Sequence, residues 1–305
     1  MYQDVKRNKR ITALIISLFI VIIALLAYAI SYQLDFGPFA IVIGLGFAIV
    51  TAGLSYYNSD KIVIAASGAK LASDALISRE DYTKLENIID GLMISSGLTN
   101  KPRLYIVPDD QPNAFATGRN PEHAVIAVTT GLVSTLDYYE MEAVIAHEMG
   151  HIVNYDIRLN AVVSVMVGFI VMISDFYMRT LWWGGGKSSK KSSDSKNGNL
   201  EMILMIIGLV LMILSPLITQ LMSMAISRKR EFMADAKSVE LTRNPQALID
   251  ALNKISADPH ELKHANKATA AMYIGNPWRE KKTAKNWFST HPSLDERIAA
   301  IEELK

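Results

Sequence analysis

The pattern His-Glu-x-x-His occurs twice in the chain, at residues 147–151 and again at residues 260–264. Histidines four positions apart on an α-helix share one face and lie about 6 Å apart along its axis, so both imidazoles can bind one metal ion at ~2.0–2.1 Å. The glutamate between them points to the same side and can take a proton from a water molecule that the metal activates. Each copy therefore predicts metal-assisted hydrolysis of a carbonyl group.

The surroundings of the two copies favour the first as the metal site. Apolar residues flank the first copy, and Gly150 within it would allow another backbone to approach closely. The second copy follows a helix-start signal and has Lys263 beside its last histidine, where a cation opposes metal binding. We therefore predict that His147 and His151 bind the metal and that Glu148 is the catalytic base, whereas the second copy forms an exposed surface helix.

The two histidines leave a hydrolytic zinc ion one protein ligand short, because such sites use three protein ligands and a water molecule. The chain contains no cysteine, so the third ligand must be a histidine or a carboxylate. Glu231 and Asp235 are four positions apart, so Glu231 can bind the metal while Asp235 accepts the free N–H of a ligand histidine. Two nitrogens and a carboxylate suit zinc, and the sequence predicts one Zn²⁺ per chain held by His147, His151 and Glu231.

The composition excludes several classes of protein. The chain has 305 residues, with 31 Lys+Arg against 30 Asp+Glu and a formal net charge of +1. This balance provides no basic field for nucleic acid, and we expect no nucleic-acid partner. The absence of cysteine excludes disulfides, thiolate nucleophiles and iron–sulfur clusters. Half of the residues are hydrophobic, and their uneven distribution excludes an ordinary soluble globule.

Long apolar runs predict about four transmembrane helices in a lipid bilayer. A run of twenty uncharged residues makes about 30 Å of helix, which is enough to cross a bilayer. One candidate is weaker than the others because Asp175 and Arg179 fall within it, although charges near a helix end can reach the interface. The candidate spans are residues 11–30, 36–57 and 202–227 and, more weakly, 161–183.

Basic residues predict the orientation of these spans. Four of them lie within residues 6–10, before the first run, and the positive-inside rule places them in the cytoplasm. Two crossings between residues 160 and 228 would keep both halves of the metal site on that side. The lysine-rich stretch 184–199 argues against this orientation, since it would lie outside. We expect a multi-pass protein of the cell membrane whose catalytic domain faces the cytoplasm.

These predictions divide the chain into four parts. Two N-terminal transmembrane helices occupy residues 1–57, and residues 58–160 are the first part of a cytoplasmic metalloprotease domain with the zinc helix. Residues 161–227 hold two apolar membrane segments and a flexible loop at 184–199, and residues 228–305 complete the metalloprotease domain. The expected fold is a mainly α integral membrane protein with a small β-sheet beside the active-site helix.

Local patterns predict the elements that position this chemistry. Asp137 followed by Glu140 resembles a capping box, which starts the zinc helix and lets it run to about Tyr155. We expect both ligand helices to run straight into apolar segments, which places the catalytic centre within a few helical turns of the bilayer surface. The other predicted elements are an amphipathic helix at 80–96, a strand at 104–107 and a β-hairpin with strands at 113–118 and 124–129.

With these features the chain resembles the HtpX family of membrane zinc metalloproteases, which are relatives of the CAAX prenyl proteases. The resemblance covers nearly the whole length, and the second copy of the motif falls outside it. It rests on the paired N-terminal spans, the two later apolar segments and residues 113–118, 128–131, 147–151, 228–235 and 289–292. The resemblance implies a gluzincin-type site with the same three zinc ligands and the same catalytic base.

The resemblance also implies roles near the substrate for Asn113, His291 and Arg297. From the residues alone, the strand that contains Asn113, Ala114 and Phe115 can bind an extended peptide by β-augmentation, with a purely structural hairpin as the alternative. His291 and Arg297 could donate hydrogen bonds to a tetrahedral oxyanion. Without the resemblance, we would interpret His291 as a loop residue and Arg297 as a solvated helix residue.

The resemblance further implies a role in stress response and quality control. The family is associated with proteolytic quality control of membrane proteins in bacteria, so the implied substrates are unfolded or misfolded membrane proteins. One alternative is a non-catalytic membrane scaffold or stress sensor that retains a structural zinc ion. A second alternative is a prenyl-protein processing enzyme with an intramembrane chamber, which four spans are too few to enclose.

Overall fold

A computed structural model describes residues 2–33, 39–72, 76–184, 208, 227–263, 269–277 and 292–304. Residues 185–199 of the predicted flexible loop and nearly all of the predicted span 202–227 lie outside these residues, as do His264 and His291. Within the described part of the chain, no helix combines the length and the apolar character needed to cross a membrane.

The described residues are mainly helical, with a small mixed sheet, as the sequence predicts. The helices are α1 (Tyr2–Gln33), α2 (Phe39–Tyr57), α3 (Ser59–Ser67), α4 (Arg79–Ser96), α5 (Thr130–Thr135), α6 (Tyr138–Val153), α7 (Asp156–Gly184), α8 (Arg228–Thr242), α9 (Pro245–Ala257) and α10 (Leu294–Glu302), with short 3₁₀ turns at Pro121–His123 and Ala270–Met272. The strands are β1 (Lys70–Leu71), β2 (Arg103–Val107), β3 (Ala114–Thr117) and β4 (Val125–Thr129).

The sheet places β3 at one edge of the described strands. Its order is β1-β2-β4-β3, in which β2 pairs with β4 in parallel and the other pairs are antiparallel. The predicted hairpin is therefore confirmed as β3 and β4, with Phe115 opposite Ala127. The 3₁₀ turn between them is capped by the side chain of Asn120, which accepts a hydrogen bond from the N–H of His123. An edge strand keeps one row of backbone groups for another partner.

The helix α6 begins as the sequence predicts and lies in the main hydrophobic core. Asp137 accepts a hydrogen bond from the N–H of Glu140, and the Glu140 carboxylate accepts one from the N–H of Asp137, which completes a capping box. The buried face of α6 packs with α4, the sheet and α9. The amphipathic helix α4 contributes the buried residues Leu85, Ile88, Ile89 and Leu92, as expected from its periodicity.

The helices α6 and α8 pack unusually closely at Gly150. A Cβ atom at Gly150 would lie 3.2 Å from Ala234 Cα and 3.3 Å from Lys237 Cβ. Between the same two helices, Ser238 Oγ donates a hydrogen bond of 2.7 Å to the carbonyl of Ala143. The predicted close approach at Gly150 is thus confirmed, and it brings the residues of α8 within reach of the histidines on α6.

The prediction that both ligand helices run straight into apolar segments is wrong. The first ligand helix, α6, ends at Val153, and Tyr155 has a φ of +60°, so α7 starts afresh at Asp156. The ammonium of Lys9 lies 4.3 Å from the centre of the Tyr155 ring at this break. The second ligand helix, α8, begins after Ser227, whose backbone is extended. Periodicity detects apolar faces but not such interruptions, which depend on tertiary contacts.

The prediction of a helix at the second motif copy is wrong for its described residues, although His260, Glu261 and Lys263 are exposed as expected. Residues 260–263 lie outside any helix, and Leu262 is buried in a small apolar cluster with Phe115 and Tyr273. The N–H of Lys263 donates to Asp109 Oδ2 at 2.8 Å. These tertiary contacts replace the hydrogen bonds that a helix would make. Because these residues are not helical, the four-residue spacing of the motif does not predict that its two histidines share a helical face.

A second apolar cluster joins α1, α2 and α7. It includes Ile15 of α1, Ala52 of α2 and Leu159 and Val163 of α7. The cluster is distinct from the main core between α4, α6, α9 and the sheet. The first turns of α1 lie against the break between α6 and α7, where Asn8 and Lys9 contact Asn154 and Tyr155.

Candidate metal centre

Two helices bring together the three residues that the sequence predicts as metal ligands. His147 and His151 lie on the buried face of α6, and Glu231 lies in the first turn of α8. His147 Nε2 is 3.7 Å from Glu231 Oε2, and His151 Nε2 is 3.6 Å from Glu231 Oε1. One ligand atom from each residue lies within 4.8 Å of the others.

These distances fit a metal ion better than direct hydrogen bonds. Separations of 3.6 and 3.7 Å are too long for a hydrogen bond. Ligands of a tetrahedral ion with bonds of 2.0–2.1 Å would stand about 3.4 Å apart. In addition, His147 Nε2 is buried without a hydrogen-bond partner among the described residues, although buried polar atoms normally have one. The donor set can therefore hold a divalent ion.

Asp235 and Arg297 fix the orientation of His147. Asp235 Oδ1 lies 2.9 Å from His147 Nδ1, so Nδ1–H donates to the carboxylate and Nε2 faces Glu231. The guanidinium of Arg297 binds both oxygens of the same carboxylate, at 2.6 and 2.9 Å. Arg297 and Asp235 are 3% and 1% exposed, so this ion pair is shielded from water. The structure thus places Asp235 where the sequence expects it.

Asp156 holds His151 in the same manner and was missed by the sequence argument. Its Oδ2 lies 3.1 Å from His151 Nδ1, which leaves Nε2 of His151 facing Glu231. Asp156 is the first residue of α7, directly after the break at Tyr155. The available signal was a single carboxylate five positions after His151, at the border of an apolar run. That signal is weak, because only the break in the helix turns the carboxylate back towards the imidazole.

The charges of the centre shift the pKa values of its groups. Burial alone lowers the pKa of His151, but the hydrogen bond to Asp156 and the charges of Glu231, Asp156 and Glu148 outweigh burial and raise it to about 9. Burial would raise the pKa of Asp235, yet Arg297 and the hydrogen bond from His147 hold it well below its usual range. Asp235 is therefore ionised at neutral pH, and a metal ion competes with a proton for His151.

Glu148 lies in the interior, between the two histidines in sequence. Burial raises the pKa of its carboxyl, and the charge of Glu231 raises it further, while the two imidazoles lower it. The backbone N–H of Ala116 on β3 lies close enough to this carboxylate to lower its pKa in part. A raised pKa suits a group that must accept a proton near neutral pH. Ala116 was not among the predicted site residues, although it follows Ala114 on the same edge of the strand.

The three residues predicted to bind substrate are largely engaged within the protein. Asn113 is fully buried, and its amide both accepts from the N–H of Gly275 and donates to the carbonyl of Gly275, each at 3.1 Å. The carbonyl of Ala114 accepts a hydrogen bond from the N–H of Ile274 at 2.9 Å. The ring of Phe115 packs edge-on against Tyr273, 5.0 Å between ring centres. Residues 273–275 therefore cover the first part of the outer edge of β3, up to Ala114.

The two residues predicted to assist the oxyanion differ in what the structure describes. His291 lies outside the described residues. Arg297 donates to Asp235 and to the carbonyl of Ile274, the latter at 3.3 Å. These contacts make it a residue that positions the centre through Asp235. Its guanidinium also lies 3.4 Å from His147 Nδ1, and its role at the oxyanion stays a prediction.

Comparison with known proteins identifies a peptidase family and full-length relatives that are named as proteases. Residues 79–305 match the model of peptidase family M48. A Dictyoglomus thermophilum protein named "Protease HtpX homolog" is 39% identical over 300 residues, which cover 98% of this chain and 93% of the relative. A Lactobacillus helveticus protein of the same name is 38% identical over 306 residues, with both chains covered completely. The crystal structure of S. mikatae Ste24p is similar over 97% of this chain and 66% of that chain, with a TM-score of 0.49 and 18% identity.

The family match includes the helices α6 and α8 and the strands β2, β3 and β4. The resemblance inferred from the sequence motifs is confirmed by these relatives. The chain belongs to peptidase family M48, and it is a metalloprotease.

Proposed function

We propose that the protein is a zinc-dependent endopeptidase in which His147, His151 and Glu231 hold the metal and Glu148 is the catalytic base. The observation that carries this proposal is the convergence of the three ligand atoms, two nitrogens and one carboxylate oxygen, beside a buried glutamate. Two imidazoles and a carboxylate are the ligand set that hydrolytic zinc commonly takes. A bound zinc ion would lower the pKa of a water molecule and polarise the peptide carbonyl.

The side chains around the centre have separate tasks in this proposal. Glu148 accepts the proton of the attacking water on its carboxylate and passes it to the leaving amine. Asp235 and Asp156 keep Nδ1 of the two histidines protonated and Nε2 free for the metal. Arg297 keeps Asp235 ionised and in place. All of these groups are buried, so they require little reorganisation during the reaction.

We propose further that a substrate peptide pairs with the outer edge of β3 beyond Ala114. Along a strand, the N–H and carbonyl groups of successive residues point alternately to its two edges. The carbonyl of Ala114 points to the outer edge, where it accepts from Ile274. Ala116 therefore faces outward as well, and its N–H reaches Glu148. An extended peptide added at Ala116 would bring its main chain next to the catalytic base. Recognition of backbone rather than side chains suits an enzyme that cleaves many unfolded sequences.

We propose that the protein is integrated in the cell membrane and degrades unfolded or misfolded membrane proteins on the cytoplasmic side. The support is the uncharged run 11–30 of the sequence, together with large apolar side chains exposed along α1, α2 and α7. Leu14, Val42 and Met172, for example, are 65%, 64% and 60% exposed. Such surfaces are costly in water and favourable against lipid.

The test is a comparison of wild type with Glu148→Gln in the full-length chain purified in detergent. An unfolded membrane protein serves as substrate, and bound zinc is measured in both proteins. We expect Glu148→Gln to retain one zinc ion per chain and to lose hydrolysis. Glu142→Gln on the same helix is the matched control, since Glu142 is only partly buried and is not a predicted site residue.

The outcome also separates the enzyme from a non-catalytic scaffold. If the protein were a scaffold with a structural zinc ion, the Glu148→Gln variant would perform the function as well as the wild type does. Loss of zinc from wild type during native purification, with hydrolysis intact, would contradict the proposed metal centre.

A further inference from the structure

The N-terminal helix α1 reaches the metal centre through one polar side chain. Asn8 lies near the start of α1 and is 1% exposed. Its Nδ2 donates a hydrogen bond of 2.7 Å to Asp156 Oδ1 and a second of 3.2 Å to the carbonyl of Asn154. The other oxygen of Asp156 holds His151 at 3.1 Å. A continuous chain of hydrogen bonds therefore runs from α1 to a predicted metal ligand, across 148 positions of sequence.

The chemistry of these contacts fixes the direction of each hydrogen bond. Both partners of the Asn8 amide are acceptors, a carboxylate and a backbone carbonyl, so the NH₂ group must face them. The ionised carboxylate of Asp156 can only accept, so His151 Nδ1 must donate. Arg230 Nε lies 3.5 Å from the Asp156 oxygen that Asn8 contacts. The carboxylate is thus held on one side by Asn8 and Arg230 and on the other side by His151.

A second observation separates Asn8 from an ordinary packing residue. Its Oδ1 atom is buried without a hydrogen-bond partner among the described residues. An amide that leaves one polar atom unpaired destabilises the fold relative to an apolar side chain of similar shape. The packing of α1 on α7 is already provided by apolar residues such as Ile15, Leu159 and Val163. Packing alone therefore gives no reason for an amide at this position.

We propose that Asn8 is a positioning residue for the metal centre, which acts through Asp156 to aim Nε2 of His151 at the metal. The inference rests on the proposed function, since it concerns the same metal site. It makes the docking of the N-terminal helix a determinant of metal affinity. Residues that hold the partner of a metal-binding histidine typically change metal affinity or activity by about 10–100-fold when replaced.

The test measures metal affinity in the full-length protein by competition with a chromophoric chelator, using Zn²⁺ and Co²⁺. Asn8→Asp keeps the shape of the side chain but replaces the donor by a carboxylate facing Asp156, and Asn8→Ala removes the side chain. We expect affinity to fall about tenfold in Asn8→Ala and further in Asn8→Asp. The visible spectrum of bound Co²⁺, which reports ligand geometry, should shift in both variants.

Thr12→Val is the matched control. Thr12 is equally buried one turn further along α1, and its hydroxyl donates only to the carbonyl of Asn8. This variant should change neither the affinity nor the Co²⁺ spectrum. Should a variant of Asn8 fail to fold, Asn8→Gln replaces it, because its amide is displaced by one methylene and should also weaken metal binding.

Folded variants of Asn8 with wild-type affinity and wild-type Co²⁺ spectrum would overturn the inference, even if hydrolysis were reduced. An equal loss of affinity in Thr12→Val would overturn it too, because the effect would then belong to α1 as a whole. Failure of the wild type to bind either metal would instead contradict the proposed function.

Discussion

Replacement of Arg297 by alanine distinguishes a residue that positions the metal centre from one that stabilises the oxyanion. The sequence suggests the second role, whereas the hydrogen bonds that Arg297 donates to described oxygen atoms go to Asp235 and to the carbonyl of Ile274. In Arg297→Ala the Asp235 carboxylate would keep its contact with His147 but lose its only bidentate partner among the described residues. We expect both protein stability and metal affinity to fall.

The magnitude follows from the burial of the pair. Asp235 and Arg297 are 1% and 3% exposed, and removal of one partner of a buried ion pair costs about 3–5 kcal/mol because a charge stays buried alone. The pKa of Asp235, now held low by Arg297, would rise towards the value that burial favours. A less firmly held Asp235 carboxylate would orient His147 less well through their hydrogen bond. We therefore expect metal affinity to fall about 10–100-fold. Arg297→Lys keeps the cation but not the two parallel hydrogen bonds, so its losses should be smaller.

The assay combines urea unfolding of the metal-free protein, chelator competition for zinc and steady-state kinetics at saturating zinc. Arg103→Ala is the control, because Arg103 pairs with Asp60 at 2.6 Å but its side chain is 46% exposed. That pair should contribute at most about 1 kcal/mol and leave metal affinity unchanged. If Arg297→Ala binds zinc as wild type does and loses only kcat, the positioning role is refuted and the oxyanion role is supported.

Two further predictions concern other parts of the centre. Because the pKa of His151 is raised to about 9 in the metal-free protein, metal binding must displace a proton below that pH, so zinc affinity should rise up to about tenfold per pH unit towards pH 9 and then level off. A flat affinity between pH 6 and 8, measured by chelator competition, would contradict this protonation state. Asn113→Ala leaves the N–H and carbonyl of Gly275 without their partner, so the free energy of unfolding should fall by about 1–3 kcal/mol and kcat should fall with it. An increase in KM alone, with unchanged thermal unfolding, would instead show that Asn113 contacts the substrate directly.

The candidate metal ligands could be predicted from the sequence because the geometry of the two histidines is local. The four-residue spacing of His147 and His151 places both side chains on the same face of a helix. The capping box at Asp137 starts that helix. Glu231 was reached through the chemistry of zinc, which needs a third ligand when cysteine is absent. The sheet also followed from local signals, since alternation and turn residues mark β3 and β4.

The remaining features could not be predicted because they depend on where distant segments meet. Asp156 faces His151 only because the chain breaks at Tyr155, and periodicity carries no signal for that break. Residues 260–263 match the sequence pattern of a metal-binding motif, but tertiary contacts of Leu262 and Lys263 hold them in a non-helical conformation. The contact of Asn8 with Asp156 joins segments that no local pattern relates.

The separation of the ligands along the chain has a consequence for the folded state. His151 and Glu231 are 80 positions apart, and the chain leaves α6 and returns to α8 through the apolar segments between them. An ion shared by both residues acts as a cross-link that closes this long loop. Because the unfolded chain does not form the site, the ion stabilises only the folded state, by about 4 kcal/mol when free zinc exceeds Kd about 1,000-fold. Metal loading would thus fasten the two halves of the peptidase domain to each other, so that chelation loosens the architecture as well as stopping the chemistry.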